Sequence, residues 1–150
     1  VLHHLHSPIL FFSEANNVLT TGGRIIMVEP AITFLSSFFY KYFHHEPLDM
    51  KVNAFEKRLS TSDPYDSNQA IPTLLFRDRV YFEDLVQNFK IVEKKQFGLF
   101  TYPLSGGFRK WSLLPIFLYP FLRKLEGYME YFLSPFMGFR MLVVLEKKKK

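Results

Sequence analysis

Thr20-Thr-Gly-Gly-Arg-Ile-Ile-Met-Val-Glu-Pro30 is the stretch on which the fold turns. Its glycine pair permits the left-handed backbone that ends a helix, and Arg24 to Val28 is a short, nearly continuous apolar run, as a strand buried on both faces would be. Glu29-Pro30 closes the strand, because proline cannot donate to a sheet ladder. Upstream, Ser7-Pro8 sets a capping hydroxyl before a proline suited to a first helical turn. Phe11, Ala15, Val18 and Leu19 then recur at helical spacing. With Val1-Leu2 taken as the tail of an earlier strand, residues 1–30 spell a strand, helix, strand crossover, which predicts a parallel sheet.

Working outward, Ile32, Leu35, Phe39, Tyr42 and Phe43 mark a second amphipathic helix ending near His44-His45-Glu46-Pro47. A polar, turn-rich stretch follows to about Pro72, of a length usual for functional or disordered loops. Phe82, Leu85, Val86 and Phe89 predict a third helix. Two β-rich stretches, Lys90 to Tyr102 and Phe139 to Glu146, complete the pattern. Between them lies an aromatic insertion, residues 103–138, opening with Leu104-Ser-Gly-Gly-Phe-Arg109 and continuing into a helical segment bearing Phe121, Leu125, Met129 and Phe132. Aromatics at that spacing are expected to pack, which predicts a core-covering subdomain; the competing reading is a greasy lid that selects a substrate.

The 150 residues fit one domain, and 48% apolar with 22% charged residues is a globular balance. The 18 Phe and 8 Tyr suit a core, a greasy pocket or a membrane-facing surface. The formal net charge of +5 is mostly the basic tail Lys147 to Lys150, which argues against a nucleic-acid surface, as does the lack of interleaved aromatic and basic residues. The absence of cysteine fits a reducing compartment, so a cytoplasmic location is expected, with peripheral membrane contact as an addition. Leu113 to Leu122, the longest apolar run, is broken by Pro115 and Pro120 and is about half of the roughly 20 residues a spanning helix requires.

Val1-Leu-His-His-Leu5, the helix ending Glu14-Ala-Asn-Asn-Val-Leu19 and the stretch Thr20 to Pro30 together resemble the second half of the class I S-adenosylmethionine-dependent methyltransferase domain, of the group called type 11. The resemblance is strong through Pro30 and loose beyond. It implies an α/β fold, the C-terminal half of a Rossmann-like sheet ordered 3-2-1-4-5-7-6, with strands 4, 5, 7 and 6 in this chain and the aromatic insertion between the last two. The turn Leu19-Thr-Thr-Gly-Gly23 departs from the family's Lys and Pro. The family's glycine-rich cofactor loop and its acidic ribose ligand have no counterpart in these residues, because Gly22-Gly23 and Gly106-Gly107 are isolated pairs. The resemblance therefore implies methyl transfer from S-adenosylmethionine to a small or lipid-linked acceptor, with this chain as the substrate-side half of a longer enzyme. A peripheral membrane or interaction module, or a catalytically inactive scaffold, is the alternative.

On that reading Leu2, His3 and His4 lie at the cofactor's adenine edge, and His4 and Glu29 are the catalytic candidates. Glu29 follows the carboxyl end of a strand, where open α/β sheets bind ligands, although capping the next helix would also explain it. His44, His45, Tyr65, Asp66, Asn68, Gln69 and Arg109 offer hydrogen-bonding capacity for a substrate, or an ordinary solvated loop. The groups His3-His4-His6 and His44-His45 invite a metal. Adjacent histidines on an extended segment point to opposite sides, and no helical pair at i and i+4 supports them, so no metal is expected.

Overall fold

The computed structural model describes residues 1–58, 67–106 and 110–149. Helix α1 (Pro8–Val18) starts where the sequence puts it: Pro8 opens the first turn and the Ser7 hydroxyl accepts from the Leu10 N–H at 3.4 Å. Gly22 takes a left-handed φ of 78° in the turn that follows, and β1 (Arg24–Pro30) leaves it. Helix α2 (Phe34–Phe43) is set by a reciprocal capping box between Thr33 and Ser36. Two short helices come next, α3 (Ile71–Leu75) and α4 (Arg79–Leu85), then β2 (Phe89–Phe97), α5 (Thr101–Leu104), α6 (Tyr119–Met137) and β3 (Arg140–Lys147).

The fold is mixed α/β, with a three-stranded antiparallel sheet in the order β1-β3-β2. Met27 lies opposite Val143 and Ile91 opposite Leu145, so Met27, Ile91, Met141, Val143 and Leu145 share one face. Helices α1, α3 and α4 bring Phe12, Ile71, Leu75, Phe76 and Phe82 onto it, and these side chains are buried with Leu2 and Phe89 in one core. The Phe12 ring meets the Phe82 ring edge-on, centroids 5.3 Å apart.

Strand β1 is not buried on both faces as its apolar run suggests, because Ile26 and Val28 are exposed. Three further expectations need correction. Val1-Leu2 is not a strand: Leu2–His4 forms a 3-10 turn whose Leu2 N–H donates to the Glu29 carboxylate at 2.9 Å, so the local backbone is satisfied by a side chain instead of a ladder. The first crossover and its parallel pairing are therefore absent among the described residues. Phe89 opens β2 and does not end a helix; α4 stops at Leu85. The third correction concerns α6. Its aromatic face points outward, with Phe121 and Phe132 about 70% exposed, and its buried residues are Glu126, Glu130 and Ser134, one turn apart.

That inverted face is held by charge and backbone donors. Glu126 accepts from the Phe100 N–H, from the Thr101 N–H at 2.5 Å and from the Thr101 hydroxyl at 2.7 Å, covering the start of α5. Glu130 pairs with Arg123 at 2.6 Å and with Lys95 of β2 at 3.2 Å. Among the described residues no helix is long and apolar enough to cross a membrane.

Candidate functional site

Strands β1 and β2 both run antiparallel to β3, so their carboxyl ends lie at the same edge of the sheet. A cavity of about 790 Å³ opens there, walled by Val28 and Pro30 of β1, Phe97 of β2 and Arg140 of β3. Phe39 and Phe43 of α2 form its apolar side. The 3-10 turn and the segment after α2 bring His3, His4, His44, His45 and Glu46 to the remaining wall, with Gln69. The sequence-based site residues His3, His4, His44, His45 and Gln69 thus share one cavity.

Glu29 is placed differently. It is fully buried behind His3, where its carboxylate meets His3 Nδ1 at 2.8 Å and the Leu2 N–H at 2.9 Å, with the Val1 amino group at 3.2 Å. Burial pushes its carboxyl up, but the bonds from His3, Leu2 and the amino group outweigh that and hold it below the usual carboxylate range. Glu29 does not line the cavity; it orients a residue that does. It does not cap α2, since Thr33 and Ser36 serve that end.

Because a 3-10 turn advances about 120° per residue, His3 and His4 do not point apart as on an extended segment. Their rings lie 4.2 Å apart, centroid to centroid, and both direct Nε2 at Glu46, from His3 at 3.7 Å and from His4 at 3.5 Å. Burial and the neighbouring His3 keep the His4 imidazole below its ordinary value, although Glu46 pulls the other way. His44 is likewise lowered, chiefly by burial. Glu46 is the residue that sequence reasoning missed; only its place after His44-His45 hinted at it.

The backbone beneath this wall is pinned. The His3 carbonyl accepts from the Asn68 N–H at 3.0 Å and from Arg58 Nη2 at 3.2 Å, and the Gln69 N–H donates to the Pro47 carbonyl at 3.1 Å. Asn68 therefore serves the loop: its side-chain carbonyl accepts from Asp49 and Ala70, and its amide donates to the Asp49 carbonyl. Leu2 is buried in the core and does not reach the cavity. Tyr65, Asp66 and Arg109 lie outside the described residues.

Behind Phe39 the wall is aromatic, built from Tyr40, Tyr102 and Phe139. The Tyr40 hydroxyl donates to the Phe139 carbonyl at 2.7 Å, its phenol pushed well above its usual range by burial, and the Arg140 guanidinium lies 4.7 Å from the centroid of the Tyr102 ring. Such a wall is apolar on one side and presents imidazole nitrogens and the Glu46 carboxylate on the other. No protein-family model matches the chain, and comparison finds no similar curated protein or solved structure.

Proposed function

We propose that this chain forms the acceptor-side part of an S-adenosylmethionine-dependent methyltransferase acting on a small or lipid-linked acceptor. The observation that carries the reading is the position of the cavity: open α/β sheets bind ligands beyond the carboxyl ends of their strands, and here that edge holds the histidines that the resemblance puts beside the cofactor. The order β1-β3-β2 is that of a small antiparallel sheet and not by itself a Rossmann-like one; on this reading its strands are assigned to the fifth, seventh and sixth places of the expected order.

The residues fit the group only in part. The cavity has the size and the aromatic and imidazole walls that suit an adenine ring and an acceptor, whereas the positive-φ glycines Gly22, Gly98 and Gly106 sit in separate turns and make no cofactor loop. The methionine grip is therefore assigned to residues other than these. S-adenosylmethionine supplies an electrophilic methyl group when bound. The contribution of this chain is to desolvate the acceptor between Phe39, Phe43 and Phe97 and to hold it against His3, whose ring Glu29 fixes.

Histidine-labelled protein titrated with S-adenosylhomocysteine and followed by NMR tests this. Shifts at the His3 and His4 rings that saturate only in the millimolar range are expected. No shift at either ring would overturn the cofactor reading, and micromolar saturation would overturn the assignment of the grip elsewhere.

A second reading has its own observation. Ile116 and Phe117, just before α6, are 85% and 76% exposed and continue into the outward face of α6 through Phe121, Tyr128 and Phe132. An apolar, aromatic helix face turned to solvent, with Lys110 and Lys124 nearby in sequence, suits the interface of an anionic bilayer, as a peripheral and not a spanning contact. Sedimentation with phosphatidylserine-containing vesicles is expected to carry the chain down, and Phe117→Asp with Phe132→Asp to release it. Absence of sedimentation would remove this reading.

A further inference from the structure

His3, His4 and Glu46 meet with their ligand atoms, one from each residue, all within 4.8 Å of one another. The two imidazole to carboxylate distances, 3.7 and 3.5 Å, are too long for hydrogen bonds. Glu46 Oε2 is buried and has no hydrogen-bond partner among the described residues. A carboxylate oxygen removed from water without a donor is costly unless a cation faces it. First-row divalent ions bind imidazole nitrogen and carboxylate oxygen at roughly 2.0–2.2 Å, which sets tetrahedral ligand atoms roughly 3.3–3.5 Å apart. With the ligand atoms spread over at most 4.8 Å, side-chain rotations that close them by up to roughly 1.3–1.5 Å bring the set onto one ion.

What surrounds the cluster also fits. A histidine that binds a metal through one nitrogen ordinarily donates through the other to a carboxylate, which fixes the tautomer and the ring. His3 has that arrangement: Nδ1 faces the buried Glu29 at 2.8 Å and Nε2 faces Glu46. The His3 backbone is held by Asn68 and Arg58, so the ring is preorganised. Two imidazoles and one carboxylate without a thiolate suit zinc and its first-row neighbours rather than copper(I) or calcium.

We infer that His3, His4 and Glu46 form a three-ligand site for a divalent transition-metal ion, with its open coordination positions facing the cavity at the carboxyl ends of β1 and β2. The ion would bind an oxygen of whatever occupies the cavity, a hydroxyl or a carboxylate. Glu29 is a positioning residue for this site. The site does not depend on the methyltransferase reading, and either experiment can fail without the other.

The test is titration of the full chain, freed of metal with a chelator, with Co²⁺ followed by visible absorption and with Zn²⁺ followed by calorimetry. One ion per chain is expected, with d–d bands of a site of low coordination number. His4→Ala and Glu46→Gln are expected to weaken binding at least about 10-fold while far-UV circular dichroism stays unchanged, and Glu14→Gln, at an exposed carboxylate of α1, to leave it as it was. Glu29→Gln is expected to weaken binding about 10- to 100-fold with the cobalt bands retained. No binding at millimolar metal would overturn the site, as would one-to-one binding unaffected by both His4→Ala and Glu46→Gln. Should His4→Ala fail to fold, Glu46→Gln alone decides, because it keeps the size of the side chain.

Discussion

At Gly22 the chain adopts φ 78° while its N–H donates to the Lys147 carbonyl at 3.0 Å, so the turn and the end of β3 depend on a backbone conformation that disfavours a side chain. A Cβ there meets nothing within 4 Å, so the penalty is conformational and not steric. Gly22→Ala is expected to lower stability by about 1–2 kcal/mol, read from urea denaturation with an unchanged m-value. Glu29 is the second residue whose replacement has a definite consequence. Glu29→Ala leaves the Leu2 N–H and the His3 ring without their acceptor in a buried place, and is expected to cost about 2–3 kcal/mol by the same measurement. A loss under about 0.5 kcal/mol would mean that water replaces the carboxylate, contrary to its full burial.

At the scale of the element, α6 is fastened to β2 by Glu130 and to the start of α5 by Glu126. Burial raises the Glu130 carboxyl, but Arg123, the Gly98 N–H and Lys95 together hold it below the usual range. A carboxyl depressed in the folded state adds stability above its unfolded value, about 4.3, and loses it as pH falls through the folded value. The difference in melting temperature between the wild-type chain and Glu130→Gln is therefore expected to be present at pH 7 and to shrink on acidification toward pH 3. A difference independent of pH would show that the pair contributes through packing alone. The same helix marks the limit of what the sequence discloses. Period 3.6 places Phe121, Leu125 and Phe132 on one face, but periodicity does not say which face is inside when the other carries carboxylates that find backbone donors. Helix α1 was legible from the local signal Ser7-Pro8 and α2 from the helical spacing of Leu35, Phe39, Tyr42 and Phe43, whereas the capping box of Thr33 and Ser36 that sets the start of α2 emerges only in the structure. The site was legible in half: His3, His4, His44 and His45 stand out as pairs, whereas Glu46 joins His3 across 43 positions and depends on a 3-10 turn that Val1-Leu2 disguised as a strand end.

For the molecule as a whole, the sheet has one face under helices and an edge strand, β1, whose outer side is unpaired among the described residues. On that strand Ile26 is 68% exposed and faces away from the core, opposite Val144 and flanked by the Arg24–Glu146 pair. An apolar edge with free N–H and C=O groups is a template for pairing with another strand, and a charge on it blocks that pairing at little cost to the fold. The chain is expected to show a sedimentation coefficient that rises with concentration, and Ile26→Lys to abolish the rise with its melting temperature nearly unchanged. The outward face of α6 is the competing source of association, and Phe117→Asp distinguishes it. If Phe117→Asp abolishes the rise and Ile26→Lys does not, association belongs to the aromatic face, and the β1 edge is protected well enough by its brevity and its closing Pro30.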